Sequence, residues 1–139
     1  MGSWIILALL SALFASLVAI LGKIGLGNID TTLATTIRSI IMAIFLVVVT
    51  LSLGKFNLDK IETKALFFIT LSGIAGALSW LFYFGALKLG PPAGVAALDR
   101  LSVVFVLILA ILFLGESLTW KAGIGALFVV LGAVLLALP

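Results

Sequence analysis

The chain has 139 residues, of which 65% are hydrophobic and 9% charged, with a net charge of +3 and neither histidine nor cysteine. A soluble domain carries about 25% charged residues, so this composition excludes an aqueous globular protein and makes lipid the solvent. Without Cys or His the sequence excludes disulfides, thiolate and iron–sulfur chemistry, and lacks the commonest general base and metal ligand. The small positive charge belongs to helix ends, not to a nucleic-acid surface.

The first predicted span is residues 4–22, an apolar run without charge. Met1–Ser3 holds no Lys or Arg and no small-residue cleavage site follows, so the run reads as a retained helix rather than a signal peptide. Ala8, Ala12, Ala15, Ser16 and Ala19 form a small-residue stripe that lets another helix approach. Gly22, Lys23 and the Gly25-Leu26-Gly27-Asn28 run end the span.

Asp30 before Thr31-Thr32 is placed to cap the second span, residues 31–53, which carries Arg38 about two turns inside. A polar loop from Gly54 to Lys64 follows, holding Lys55, Asp59, Lys60, Glu62 and Lys64. The third span is residues 65–87. Ser72, Ala75, Gly76, Ser79 and Tyr83 share one face of it, which the spacing aims at protein or a cavity, while Phe67, Phe68 and Phe82 suit lipid.

Pro91-Pro92 opens the fourth span, residues 92–114, expected as one helix with Asp99 and Arg100 adjacent inside it. Gly115 is its stop, and Glu116-Ser117-Leu118 makes a tight hairpin into the last span, residues 119–138. Gly123, Gly125 and Gly132 suggest close helix packing, within the chain or in a dimer. Trp4 and Trp120 read as interface belts, Lys23 and Lys88 as interfacial anchors, and Glu116 as a helix-end charge. With Pro139 close to the end of the last span, no C-terminal domain is expected.

Five spans put the termini on opposite sides. Lys55, Lys60, Lys64 and Lys121 lie on the N-terminal side, against Lys23 and Lys88 on the other, which favours an N-terminus in the cytoplasm and leaves dual orientation open.

An ionisable residue at membrane depth costs about 2.5–3.5 kcal/mol on insertion scales and needs a compensating role. Arg38 and Asp99 both fall about seven residues into helices that start on the same side, roughly 10 Å along each at 1.5 Å per residue. Counting back from the ends of the first and third spans brings Ser16 and Trp80 to a similar level. The expectation is a polar and aromatic layer of Ser16, Arg38, Trp80, Asp99 and Arg100, with Tyr83 one turn away. Two roles remain open: an ion pair that only holds helices together, or the lining of a solute pathway.

The segment Trp80-Leu81-Phe82-Tyr83-Phe84-Gly85-Ala86-Leu87, then Gly94-Val95-Ala96-Ala97-Leu98, Leu114-Gly115-Glu116, Gly125 and Gly132, resembles the EamA-type domain of the drug/metabolite transporter superfamily. The segment from Leu98 to Val104 resembles its single-domain, five-helix bacterial and archaeal branch. The resemblance implies an all-α membrane protein of five transmembrane helices, half of a ten-helix inverted-repeat fold. It implies a homodimer, antiparallel in the natural solution, that rebuilds the larger members. Ser102 stands where the larger family often has proline, so a kink in the fourth helix does not carry over. The first span holds no glutamate, so the proton-coupled cation route of the four-helix exporters does not carry over either.

The expected function is a secondary transporter of a small organic metabolite in the cell membrane. Asp99, the only carboxylate within a span, would serve coupling or cation binding; Arg38 and Arg100 would bind a substrate carboxylate or act as counter-ions to Asp99. Their sum of +1 favours an anionic or zwitterionic solute. The alternative is an accessory membrane subunit whose buried charges only hold helices together. No nucleophile–base pair, metal site or nucleotide loop is visible, so neither an enzyme nor a cofactor is expected.

Overall fold

The computed structural model describes residues 2–57 and 61–138; Asp59, Lys60 and Pro139 lie outside the described residues. Among these there are helices and loops but no strand. The helices are α1 (Ser3–Leu26), α2 (Thr31–Ser52), α3 (Thr63–Leu89), α4 (Pro92–Asp99), α5 (Ser102–Leu114) and α6 (Trp120–Ala137). With α4 and α5 taken as one span, five are long and apolar enough to cross a membrane. Large apolar side chains stay exposed along all of them, Phe45 at 65% and Phe128 at 69%. In lipid such side chains are already in an apolar solvent, so nothing drives them inward.

Local chemistry sets several helix ends. The Asp30 carboxylate accepts from the N–H groups of Thr32 and Leu33 at 2.9 and 3.0 Å and starts α2. Thr119 does the same for α6, its Oγ1 accepting from Ala122 N–H at 3.2 Å. Gly115, at φ 67°, takes the left-handed turn that ends α5, and the next N–H, of Glu116, reaches back to Ala110 O.

The chain packs as two compact units, one of Met1–Lys23 with Leu89–Pro139 and one of Ile24–Lys88. In the first, α4 lies on α6. Gly94 makes this possible: a Cβ there would meet Leu136 O at 3.3 Å and Ala137 Cα at 3.5 Å. The glycines singled out in the sequence do not make such contacts within the chain. A Cβ at Gly123, Gly125 or Gly132 would meet nothing within 4 Å.

Two lysines tie loops to helix ends. Lys23, near the end of α1, donates its Nζ proton to Gly90 O at 2.9 Å, just ahead of α4. Lys88, near the end of α3, donates to Ile29 O at 2.6 Å, just ahead of α2. They hold connections in place, because a backbone carbonyl at a helix entry is an acceptor that lipid cannot satisfy.

Two expectations need correction. Of the face expected on α3, Gly76 and Tyr83 are half-buried but Ser72, Ala75 and Ser79 are exposed; Phe84 and Leu87 are buried, and Trp80, Leu81 and Gly85 are half-buried beside them. Trp80, Phe84 and Leu87 follow i, i+4, i+7 spacing. The fourth span, expected as one helix over 92–114, is broken between Asp99 and Ser102. Arg100 and Leu101 have ψ of −12° and −17°, far from the α-helical value of about −42°. Their N–H groups donate to Ala97 O and Leu98 O, three residues back, at 3.1 and 3.0 Å. Val103 and Val104 repeat the pattern to Arg100 O and Leu101 O. The helix thus tightens into a 3₁₀-type turn. Neither Pro nor Gly occupies residues 99–102; the break coincides with the adjacent Asp99 and Arg100.

Candidate functional site

Within the unit of residues 24–88, three of the residues singled out from the sequence come together. Arg38 stands about two turns into α2. Its guanidinium lies over the Trp80 ring, 3.7 Å from the ring centre, and 5.6 Å from that of Phe84. Trp80 meets Tyr83 edge to face at 5.4 Å and 78°, and Phe84 at 6.0 Å and 61°. Phe84, 6.3 Å from Tyr83, completes the cluster. The sequence reading missed Phe84 as a site residue. Its i+4 spacing from Trp80 was the available signal, since such pairs stack on one helix face.

The electrostatics of this cluster are incomplete. Arg38 Nη1 is enclosed and has no hydrogen-bond partner among the described residues. A cation–π contact contributes about 0.5–2 kcal/mol, against an insertion cost of about 2.5–3.5 kcal/mol for the charge. An unpaired enclosed donor adds about 1–3 kcal/mol to that cost. The aromatic backing therefore offsets only part of what it takes to hold Arg38 there.

Beside these residues α2 carries hydroxyls turned back on their own helix. Thr35, which is buried, donates to Thr31 O at 2.7 Å, Thr36 to Thr32 O at 2.9 Å and Ser39 to Thr35 O at 2.8 Å. They line an open groove of about 390 Å³ with Ile40, Ala77 and Leu81. Their protons are committed, so each presents lone pairs outward.

The remaining candidates belong to the other unit. Asp99 is the last residue of α4 and half-buried; Arg100 follows it and is exposed. Ser16 is exposed on α1, its Oγ donating to Leu13 O at 2.7 Å. Asp99 and Arg100 occupy the break, where backbone irregularity at membrane depth needs protein or water around it. Among the described residues no group of three or more His, Cys, Asp or Glu is arranged to hold a metal ion.

Outside the spans, and among the described residues, Asp30 is the group whose titration the structure perturbs. The Leu33 N–H, foremost, holds its carboxyl below the ordinary value of 3.8; desolvation opposes this, and Thr32 N–H and the Lys88 charge reinforce it.

A family model described as the EamA-like transporter family matches residues 2–138. A protein of Sinorhizobium sp., named an uncharacterized transporter in the cobO 3' region, is 43% identical over 136 residues, covering 97% of this chain and 96% of that protein. No solved structure matches the chain.

Proposed function

Because this chain belongs to the EamA-like transporter family, we propose that it is a secondary transporter that moves a small organic metabolite by alternating access. The observation that carries this reading is the 3₁₀-type break at Arg100–Leu101, about a third of the way along the fourth span. Discontinuous helices are where secondary transporters place their solute and ion sites, because the exposed half-helix ends and nearby charges bind what lipid would reject. Asp99 is proposed for coupling or cation binding, with Arg100 and Ser16 in the same unit; in the other unit Arg38, with Trp80 and Tyr83, is proposed to bind a substrate carboxylate.

A homodimer is the working form we infer. An odd number of spans makes two copies run in opposite senses when the second follows the first, and a single-copy chain reaches the same arrangement by antiparallel pairing. The exposed small face of α3 (Ser72, Ala75, Ser79) and the open glycines of α6 support this, since both admit a close neighbour. The membrane is the cell membrane, with an N-terminus on the cytoplasmic side in the orientation that the Lys distribution favours.

The test is solute flux in proteoliposomes with purified protein. Saturable flux that falls in both Asp99→Asn and Arg38→Ala supports the reading; flux unchanged in both removes the site. The stacking of Arg38 on Trp80 also suits a second reading, an accessory subunit whose charges hold helices together. That reading expects the same substitutions to unfold the protein, with no flux to lose.

A further inference from the structure

The transport reading leaves the chemistry of the solute open, and the α2–α3 unit narrows it. A guanidinium carries five donors and no acceptor. One face of Arg38 is taken by Trp80, and the enclosed Nη1 has no partner among the described residues. What the cluster lacks is therefore an acceptor at the guanidinium edge. A neutral carbonyl would satisfy the N–H but leave the charge unmatched in a low-dielectric setting. An anion does both.

The walls say more. Trp80, Tyr83 and Phe84 form a continuous run of tilted and edge-to-face rings beside the guanidinium, and such arrangements accept a further flat apolar group by the same geometry. Arg38 is the one charged member of this cluster. Lys88, on the same helix as the rings, donates to Ile29 O. The hydroxyls of Thr35 and Ser39 give their protons to Thr31 O and Thr35 O, so they add no donors for an anion.

We propose that Arg38, backed by Trp80 and flanked by Tyr83 and Phe84, binds a singly charged carboxylate with a flat apolar body, an aryl carboxylate being the simplest form. The carboxylate takes Nη1–H and a neighbouring N–H as paired charge-assisted bonds once the cluster opens to admit it, and the body packs on the half-buried Trp80 and Tyr83, Phe84 itself being buried. A dianion would leave one charge unmatched, and an amine would meet a like charge. The assignment deepens the transport reading and rests on it for the route by which the ligand arrives.

The experiment uses the full chain in nanodiscs with Trp4→Phe and Trp120→Phe, leaving Trp80 as the lone tryptophan. Equilibrium dialysis with radiolabelled benzoate measures binding, and Trp80 emission reports on the ring cluster. Benzoate is expected to bind saturably and shift Trp80 emission. Acetate, which lacks the apolar body, phthalate, which brings a second unmatched charge, and benzylamine, which brings a like charge, should each compete more weakly by about tenfold or more. Arg38→Lys, which keeps the charge but loses the planar fork, should weaken benzoate by about tenfold; Arg38→Gln should abolish binding.

No saturable benzoate binding to folded protein, equal binding by Arg38→Gln, or tighter binding of phthalate or benzylamine overturns the proposal. Should Arg38→Gln not fold, the ligand series on the otherwise native chain decides alone. Flux is measured separately. Benzoate binding without flux of any solute removes transport and keeps the site; flux that benzoate does not inhibit removes the site and keeps transport.

Discussion

The Arg38 guanidinium sits 3.7 Å above the centre of the Trp80 ring, joining α2 to α3 through a charge and a quadrupole. Without a hydrogen bond to Nη1 among the described residues, this contact is an arrangement with capacity to spare. Helix glue that served only stability would be expected to satisfy its donors.

Arg38→Met is therefore expected to leave thermal stability in detergent unchanged or raised, by up to about 1–2 kcal/mol, because it removes an incompletely paired charge. Flux should be lost in the same variant. A fall in melting temperature together with loss of fold would instead favour the accessory-subunit reading. Fluorescence-detected size exclusion with heating measures both fold and stability.

Gly94 is the close-approach point between α4 and α6. Gly94→Ala should be tolerated, since Leu136 O and Ala137 Cα need give only slightly. Gly94→Val or Gly94→Leu should destabilise by about 1–3 kcal/mol through overpacking. Gly125→Ala and Gly132→Ala should not lower the melting temperature of the monomer, as their Cβ atoms would enter open space. If they lower the dimer fraction in light scattering, the glycine face of α6 is where the second copy sits.

The Asp30 cap predicts a pH dependence. Its folded pKa lies below the ordinary 3.8, so the stability it contributes is present above 3.8 and is lost as pH falls through the folded value. Asn caps a helix about as well without titrating. Melting curves of wild type and Asp30→Asn should separate at neutral pH, wild type being the more stable. The gap should narrow below 3.8, and a constant gap would argue against the cap's charge.

The break in the fourth span predicts asymmetric tolerance of proline. Ser102 is the first residue of α5, where proline removes no interior helical bond. Ser102→Pro should fold and cost less than an interior proline, its remaining cost arising from the αR backbone of Leu101 before it. Val106→Pro, inside α5, should cost about 3 kcal/mol. Equal damage by both would mean that the span runs unbroken through Asp99 and Arg100 in the bilayer.

Much of the fold was legible because its causes are local. Span count follows from hydropathy and length. Asp30, Gly115 and Thr119 mark helix ends because a cap needs only its own neighbours. The starts of α2 at Thr31 and α4 at Pro92 match the residues from which the depths of Arg38 and Asp99 were counted.

What the tertiary structure alone decided is how each helix is turned about its axis. In water, an apolar stripe facing a polar one sets that rotation; here nearly every face is apolar and lipid accepts them all. Hydropathy therefore could not reveal that α3 covers Trp80, Phe84 and Leu87 rather than its small face, that Phe84 joins Arg38, or that Gly94 and not the glycines of α6 meets a neighbouring backbone. Nor could it place the break, since no proline or glycine stands at residues 99–102 to announce it. The contacts of Arg38 with Trp80 and Phe84 and of Gly94 with α6 join residues far apart in sequence, and packing between helices, not partition into lipid, selects them.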